Sequence, residues 1–108
     1  MYLVRIIVLS MIVIPSFAHG ADVYGSGLHS CGKWSVESKT DSMARRYYIQ
    51  WVLGFVTSMS VTSEALNKDM KSSDSSAIIA WMDNFCVENP LISINQASQH
   101  LTNELWSE

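Results

Sequence analysis

The sequence predicts an all-α protein, a small bundle of three to four helices stapled by one disulfide. Apolar residues recur at three- and four-residue spacings over three long stretches of the 108-residue chain, as in helices that bury one face. No segment shows the alternation of apolar and polar residues that is typical of a half-buried strand. The chain contains two cysteines, Cys31 and Cys86, and therefore allows one internal disulfide.

The first 20 residues have the layout of a secretory signal peptide. Arg5 provides a short positive region, residues 6–14 form an apolar run, and Pro15 ends this run before a stretch of small residues. Cleavage after Ala18 or after Gly20 fits the preference for small residues at the cleavage site. A membrane anchor is the alternative, but the 14 residues before Pro15 are fewer than the about 20 that a membrane span needs.

We therefore expect a periplasmic protein in which residues 21–108 form a single helical domain with no membrane contact. This domain carries six Lys and Arg against ten Asp and Glu, a net charge of −4. Binding to nucleic acid is not expected, because phosphate contacts need clustered cations. Only Arg45 and Arg46 are adjacent, and we interpret this pair as part of a solvated helix face.

A disulfide between Cys31 and Cys86 is the preferred interpretation, because exported compartments are oxidising. Closing a loop of 56 residues stabilises the fold by about 4 kcal/mol in the chain-entropy model. An intermolecular bridge and a metal site are the alternatives, but His29 beside Cys31 is too sparse a set for zinc. Trp34 is expected to pack over the disulfide, with an exposed, ligand-stacking tryptophan as the alternative.

The first long helix is predicted over residues 42–60, capped by Thr40 or Asp41, and it either ends there or continues to position 66. Gly54 and Ser58 lie four positions apart, where small side chains would let a second helix approach closely. The apolar stripe of this helix consists of Met43, Ala44, Tyr47, Tyr48, Trp51, Val52, Phe55, Val56 and Met59.

A polar segment, residues 67–76, is predicted to be an exposed loop before the second helix. Any of the residues at positions 73–75 can cap this helix, which runs to about Glu88 and stops before Pro90. Asp83, Asn84 and Glu88 are expected to face the solvent.

A third helix is predicted to run to about Trp106. Ser93 and Gln96 fit a capping box at its start, with the serine at the N-cap and the glutamine at N3. Its inward positions are Ile94, Ala97, Leu101 and Leu105.

No catalytic motif is present in the sequence. Nucleophile-elbow and phosphate-loop patterns are absent, as is a Cys-x-x-Cys pair. His29 and His100 are interpreted as structural residues rather than as ligands or bases. We therefore expect a protein that is not an enzyme and that needs neither a cofactor nor a metal.

The large aromatic residues suggest contact with another protein. Trp51 and Trp81 are assigned to the core, but a domain of this size does not hide every aromatic side chain. Tyr47, Tyr48 and Trp106 are the candidates for a protein-binding or dimer surface, because exposed apolar patches usually mark such contacts.

Three segments resemble a recurring pattern in small exported proteobacterial proteins of uncharacterised function, and more distantly the HdeA/HdeB acid-stress chaperones. The segments are Cys-Gly-Lys-Trp at 31–34, Trp-Val-Leu-Gly-Phe at 51–55, and Trp-Met-Asp-Asn-Phe-Cys-Val-Glu-Asn-Pro at 81–90. The resemblance implies a helical, periplasmic homodimer with a single disulfide that binds unfolded proteins in acid.

A second hypothesis comes from another class of protein. Periplasmic immunity proteins of the Rap1a/Tai type are also small, exported and helical, with disulfides, and each binds and blocks one secreted toxin. The excess of acidic residues and the loop at 67–76 would suit such an interface.

Overall fold

Four α-helices, preceded by a short 3-10 turn, make up the computed structural model, which describes residues 21–106. Within these residues there is no strand, only an isolated bridge between Ser30 and Ser93. The predicted all-α bundle is confirmed, whereas the predicted signal peptide lies outside the described residues. The elements are the 3-10 turn Gly25–Leu28, α1 Cys31–Thr40, α2 Ser42–Ala65, α3 Ser75–Glu88 and α4 Ile94–Trp106.

The first helix, α1, is the fourth helix that the sequence left open, and it has ten residues. The side chain of Ser30 accepts a hydrogen bond from the backbone N–H of Lys33 and caps the helix. Only Cys31 and Trp34 of its ten residues are buried. Two buried positions do not make a repeating stripe, and this is why periodicity misses most of α1.

The long helix α2 starts where it is predicted to start and takes the longer of the two predicted courses. The Asp41 carboxylate accepts hydrogen bonds from the backbone N–H groups of Met43 and Ala44. Near the other end, the hydroxyls of Thr62 and Ser63 donate to carbonyls four residues earlier. These residues lower helix propensity, but their hydroxyls are satisfied within the helix, so that it continues to its end at residue 65.

The ends of α3 and α4 follow their local sequence signals. Asp74, one of the candidate caps at positions 73–75, caps α3 by accepting from the N–H of Ala77, and α3 ends at Glu88 as predicted. The capping box at α4 is confirmed, because the Ser93 hydroxyl accepts from the N–H of Gln96 and the Gln96 amide oxygen accepts from the N–H of Ser93.

A disulfide between Cys31 and Cys86 joins α1 to the last turn of α3, as predicted. Backbone hydrogen bonds support the same junction, because Cys31 N–H donates to the Ile92 carbonyl and Gly32 N–H donates to the Pro90 carbonyl. The core around this junction draws on all four helices. It consists of Cys31, Trp34, Tyr48, Val52, Val56, Ile78, Met82, Cys86, Ile94, Ala97 and Leu101.

Across residues 21–106, no helix combines the length and the apolar character that crossing a membrane would require.

Candidate functional site

An open groove of about 720 Å³ runs between α2 and α4, and residues 21–24 form one of its edges. Its floor is apolar, and amide side chains stand along the α4 side. The apolar residues of the floor are Trp51, Phe55, Met59 and Trp106, and the polar residues of the α4 side are Asn95, Gln99, Thr102 and Asn103.

Trp51 is held in one orientation at the end of this floor that lies against the 3-10 turn. Its indole Nε1–H donates a hydrogen bond of 2.8 Å to the carbonyl of Tyr24, and its ring stacks on Phe55 with centroids 5.5 Å apart. Gly27 lies beneath the indole so closely that a Cβ there would be 2.2 Å from Cζ2 of Trp51. The assignment of Trp51 to the core is therefore only partly right, because the side chain is half-buried and lines the groove.

Trp106 fixes the other end of the floor. Its indole Nε1–H donates to the hydroxyl of Ser63, which lies near the end of α2, at 2.6 Å. The ammonium of Lys68 lies 5.8 Å from the centroid of the ring, within the range of a cation–π contact. Both tryptophans of the groove are thus preorganised by hydrogen bonds that use their only donor.

The amide side chains of the groove come from one line along α4. Asn95, Gln99 and Asn103 are four residues apart, so they stand above one another on the helix surface. Each amide has donors and an acceptor, the set of groups that a peptide backbone also carries. The groove therefore combines an apolar floor with a rim that can hydrogen-bond to the main chain of a bound segment.

Tyr48 is not part of an exposed surface, which corrects the prediction from sequence. Its side chain is only 5 % exposed, and its ring packs between Trp34 and His29, with centroids 6.4 Å and 5.4 Å away. The Tyr48 hydroxyl donates a hydrogen bond to the carboxylate of Glu37. Burial, together with this carboxylate, raises the pKa of Tyr48 to about 12.

The other two predicted surface residues lie apart from each other. Tyr47 is 63 % exposed and does not line the groove, whereas Trp106 is half-buried and does. Neighbouring residues on a helix point about 100° apart, so Tyr47 faces solvent while Tyr48 faces the core. The three aromatic residues therefore do not form one surface, and only Trp106 belongs to the groove.

A polar clamp made of Arg45, Asp83 and Trp34 joins α2, α3 and α1. The Arg45 guanidinium forms a two-pronged pair with Asp83, with both N–O distances 3.1 Å, and Trp34 Nε1–H donates to the same carboxylate at 2.8 Å. The predicted solvated positions of Asp83 and Arg45 are only partly right. Their side chains are 40 % and 28 % exposed, but the two chain-distant residues meet beside the buried Trp34, with the guanidinium over its ring.

The clamp changes the acidity of Asp83. Desolvation raises the pKa of this carboxyl, but the hydrogen bonds from Arg45 and Trp34 and the charge of Arg45 outweigh it, so that the pKa is lowered overall. The carboxylate is the form that Arg45 and Trp34 bind, and protonation therefore weakens the junction of the three helices.

Trp81 lies outside the groove, in an aromatic cluster on α3. Trp81 stacks on Phe85 at 4.6 Å, and Phe85 contacts the ring of the exposed His100 at 5.2 Å. No group of three or more His, Cys, Asp or Glu in this part of the chain is close enough together to hold a metal ion.

The groove itself was not predicted, although parts of its signal are in the sequence. Trp51, Phe55 and Met59 follow one another at four-residue spacing, but this spacing is equally typical of a buried stripe. The matching line of amides on α4 becomes informative only once the two helices are known to be neighbours.

Comparison with protein-family models, with curated proteins and with solved structures finds no match to this chain.

Proposed function

We propose that this chain is an exported, non-enzymatic protein-binding module whose groove between α2 and α4 holds an apolar segment of another protein. The groove carries the proposal, because its aromatic and methionine floor offers apolar contact and its line of amides offers hydrogen bonds. Burial of the partner's apolar side chains on the floor provides the affinity, and hydrogen bonds from the amide side chains to the partner's backbone orient the bound segment.

An acid-stress chaperone of the HdeA/HdeB kind is the first form of this proposal. Full protonation of the ten carboxylates takes residues 21–108 from a net charge of −4 to about +8, with six Lys and Arg and two His charged. Asp83 joins three helices through its ionised form, so acid loosens the bundle at this junction. The Cys31–Cys86 disulfide keeps α1 attached to α3 while apolar helix faces become available to unfolded clients.

An immunity protein that binds and blocks one secreted toxin is the second form. The fixed orientation of Trp51 and Trp106 supports it, because a preorganised floor suits one ligand shape better than many. The net negative charge of the domain adds attraction to a basic toxin surface.

The test uses the oxidised protein, residues 21–108, and a matched pair of variants. Met59→Lys places a charge in the floor of the groove, and Ala80→Lys places the same charge on an exposed position of α3 that does not line it. Binding of a hydrophobic dye and suppression of aggregation of an unfolded client are measured from pH 7 to pH 2.

For a chaperone, we expect dye binding and client protection to rise in acid and to be weaker in Met59→Lys than in Ala80→Lys. A protein that stays compact and dye-silent at every pH contradicts the chaperone form, and capture of a toxin from secreted extract then tests the immunity form. If the two variants behave alike with every ligand that binds, the groove is not the binding site.

A further inference from the structure

The exposed face of α2, on the side of the helix away from the core, is uncharged over more than four turns. Every exposed position from 47 to 62 on this helix carries an uncharged side chain. The face includes a seam of exposed residues spaced four and three apart in turn, the spacing of helices that pack along each other. The seam consists of Met43, Tyr47, Gln50, Gly54, Thr57 and Val61.

No part of the described chain covers the middle of this seam. A Cβ built at Gly54 meets no atom within 4 Å, so the close approach that Gly54 and Ser58 suggested does not occur within one molecule. Tyr47 and Val61, at either side of this gap, are 63 % and 62 % exposed. The seam is separate from the groove, whose residues on α2 are Trp51, Phe55 and Met59.

One charged residue lies at each end of the uncharged face, and the positions of the two charges indicate how a second helix would be oriented. Arg46 and Glu64 are exposed and 18 positions apart, which is five helical turns, so they lie on the same edge of α2 about 27 Å from each other. In residues 21–106 neither side chain has an ion-pair partner. In an antiparallel pair of helices, the same edge of each helix faces the other.

From this pattern we infer that α2 packs against α2 of a second copy of this chain, antiparallel, with a two-fold axis near position 55. The axis brings position 46 of one copy beside position 64 of the other, so two identical Arg46–Glu64 ion pairs form at the ends of the seam. Gly54 of each copy lies next to the axis, where the absence of a side chain lets the helices approach closely.

A parallel arrangement fits the same residues less well. In a parallel pair, opposite edges of the two helices face each other, so Arg46 and Glu64, which share one edge, would form no ion pair across the seam. The charge pattern thus favours the antiparallel orientation. Because each copy offers both the cation and the anion that the other copy needs, the partner that fits this face is a second copy of the chain.

Sedimentation velocity of the oxidised protein, residues 21–108, over a range of concentrations tests the inference without any peptide or client. We expect a reversible dimer that weakens as salt is added. Gly54→Arg is expected to abolish it while the monomer stays folded, because the site is open within one chain and arginine favours helix more than glycine does.

Charge exchange tests the orientation. Arg46→Glu and Glu64→Arg should each weaken the dimer roughly tenfold, and the double variant should return to near the wild-type dissociation constant. A wild-type protein that is monomeric at 100 µM, a dimer that survives Gly54→Arg, or single charge variants without effect would each overturn the inference. Met59→Lys changes the groove and leaves the seam intact, whereas Gly54→Arg changes the seam. The two variants therefore distinguish a failure of the proposed dimer from a failure of the proposed binding groove.

Discussion

Replacing Gly27 by alanine tests whether the aromatic floor of the groove depends on the space that a missing side chain leaves. The new Cβ would lie 2.2 Å from Cζ2 and 2.5 Å from Cη2 of Trp51, whereas ordinary contact begins at 3.4 Å. The indole must therefore move. The indole is held by its hydrogen bond to the Tyr24 carbonyl and by its stacking on Phe55, so any shift of the ring weakens or breaks these contacts.

The expected loss of stability follows from these two contributions. Inserting a methyl group into a packed site costs about 1–3 kcal/mol. The hydrogen bond from Trp51 to the Tyr24 carbonyl contributes about 1 kcal/mol. A loss of about 3 kcal/mol in the free energy of unfolding lowers the Tm of a domain of this size by roughly 10–25 °C.

Thermal unfolding followed by circular dichroism measures the effect, and Gly54→Ala is the matched control. At Gly54 the same methyl group meets nothing within 4 Å, in a helix, so alanine there should stabilise by about 0.5–1 kcal/mol. Both variants are compared at a concentration at which sedimentation shows monomer. In a Trp51→Leu background, Gly27→Ala should lower the free energy of unfolding by less than about 1 kcal/mol, because the clash is with the indole. A shift of the same sign in both glycine variants would refute the reasoning.

Three other predictions concern the junctions between the helices. Asp83→Asn should lower the free energy of unfolding by up to about 1 kcal/mol at pH 7, because the pair with Arg45 is partly exposed. The folded state lowers the pKa of Asp83, so its contribution is present above the unfolded pKa of about 3.9 and is lost as the pH falls through the folded value. Urea unfolding of wild type and variant should therefore converge as the pH falls through the lowered pKa of Asp83, and a constant difference between pH 7 and pH 2 would contradict the assignment. The double variant Cys31→Ala/Cys86→Ala should have a free energy of unfolding about 4 kcal/mol lower than that of the wild type. Urea unfolding with and without reductant measures this difference. If reductant does not change the stability of the wild type, the disulfide does not stabilise the fold. Ser93→Ala should cost about 1 kcal/mol in the same assay, whereas Ser93→Thr should cost much less, because threonine keeps the capping hydroxyl.

Local signals in the sequence were sufficient for most element boundaries. Asp41, Ser93 and Pro90 mark ends that depend on a side chain reaching the nearest backbone groups or on a missing N–H. The disulfide was predictable by counting, since two cysteines allow a single internal pair. The cap of α3 was left open among positions 73–75, because all of these residues can cap and only the geometry of the turn selects Asp74.

The sequence by itself determined that this protein is a bundle of helices held by a disulfide between Cys31 and Cys86. Tertiary structure decided which face of each helix is covered. Periodicity shows that Tyr47 and Tyr48 point in different directions, but only the packing of α1 against α2 shows that Tyr48 is the buried one. The groove and the Arg45–Asp83 pair need contacts between residues far apart in the chain, and such contacts leave no local pattern in the sequence, because each partner alone looks like an ordinary surface or core residue.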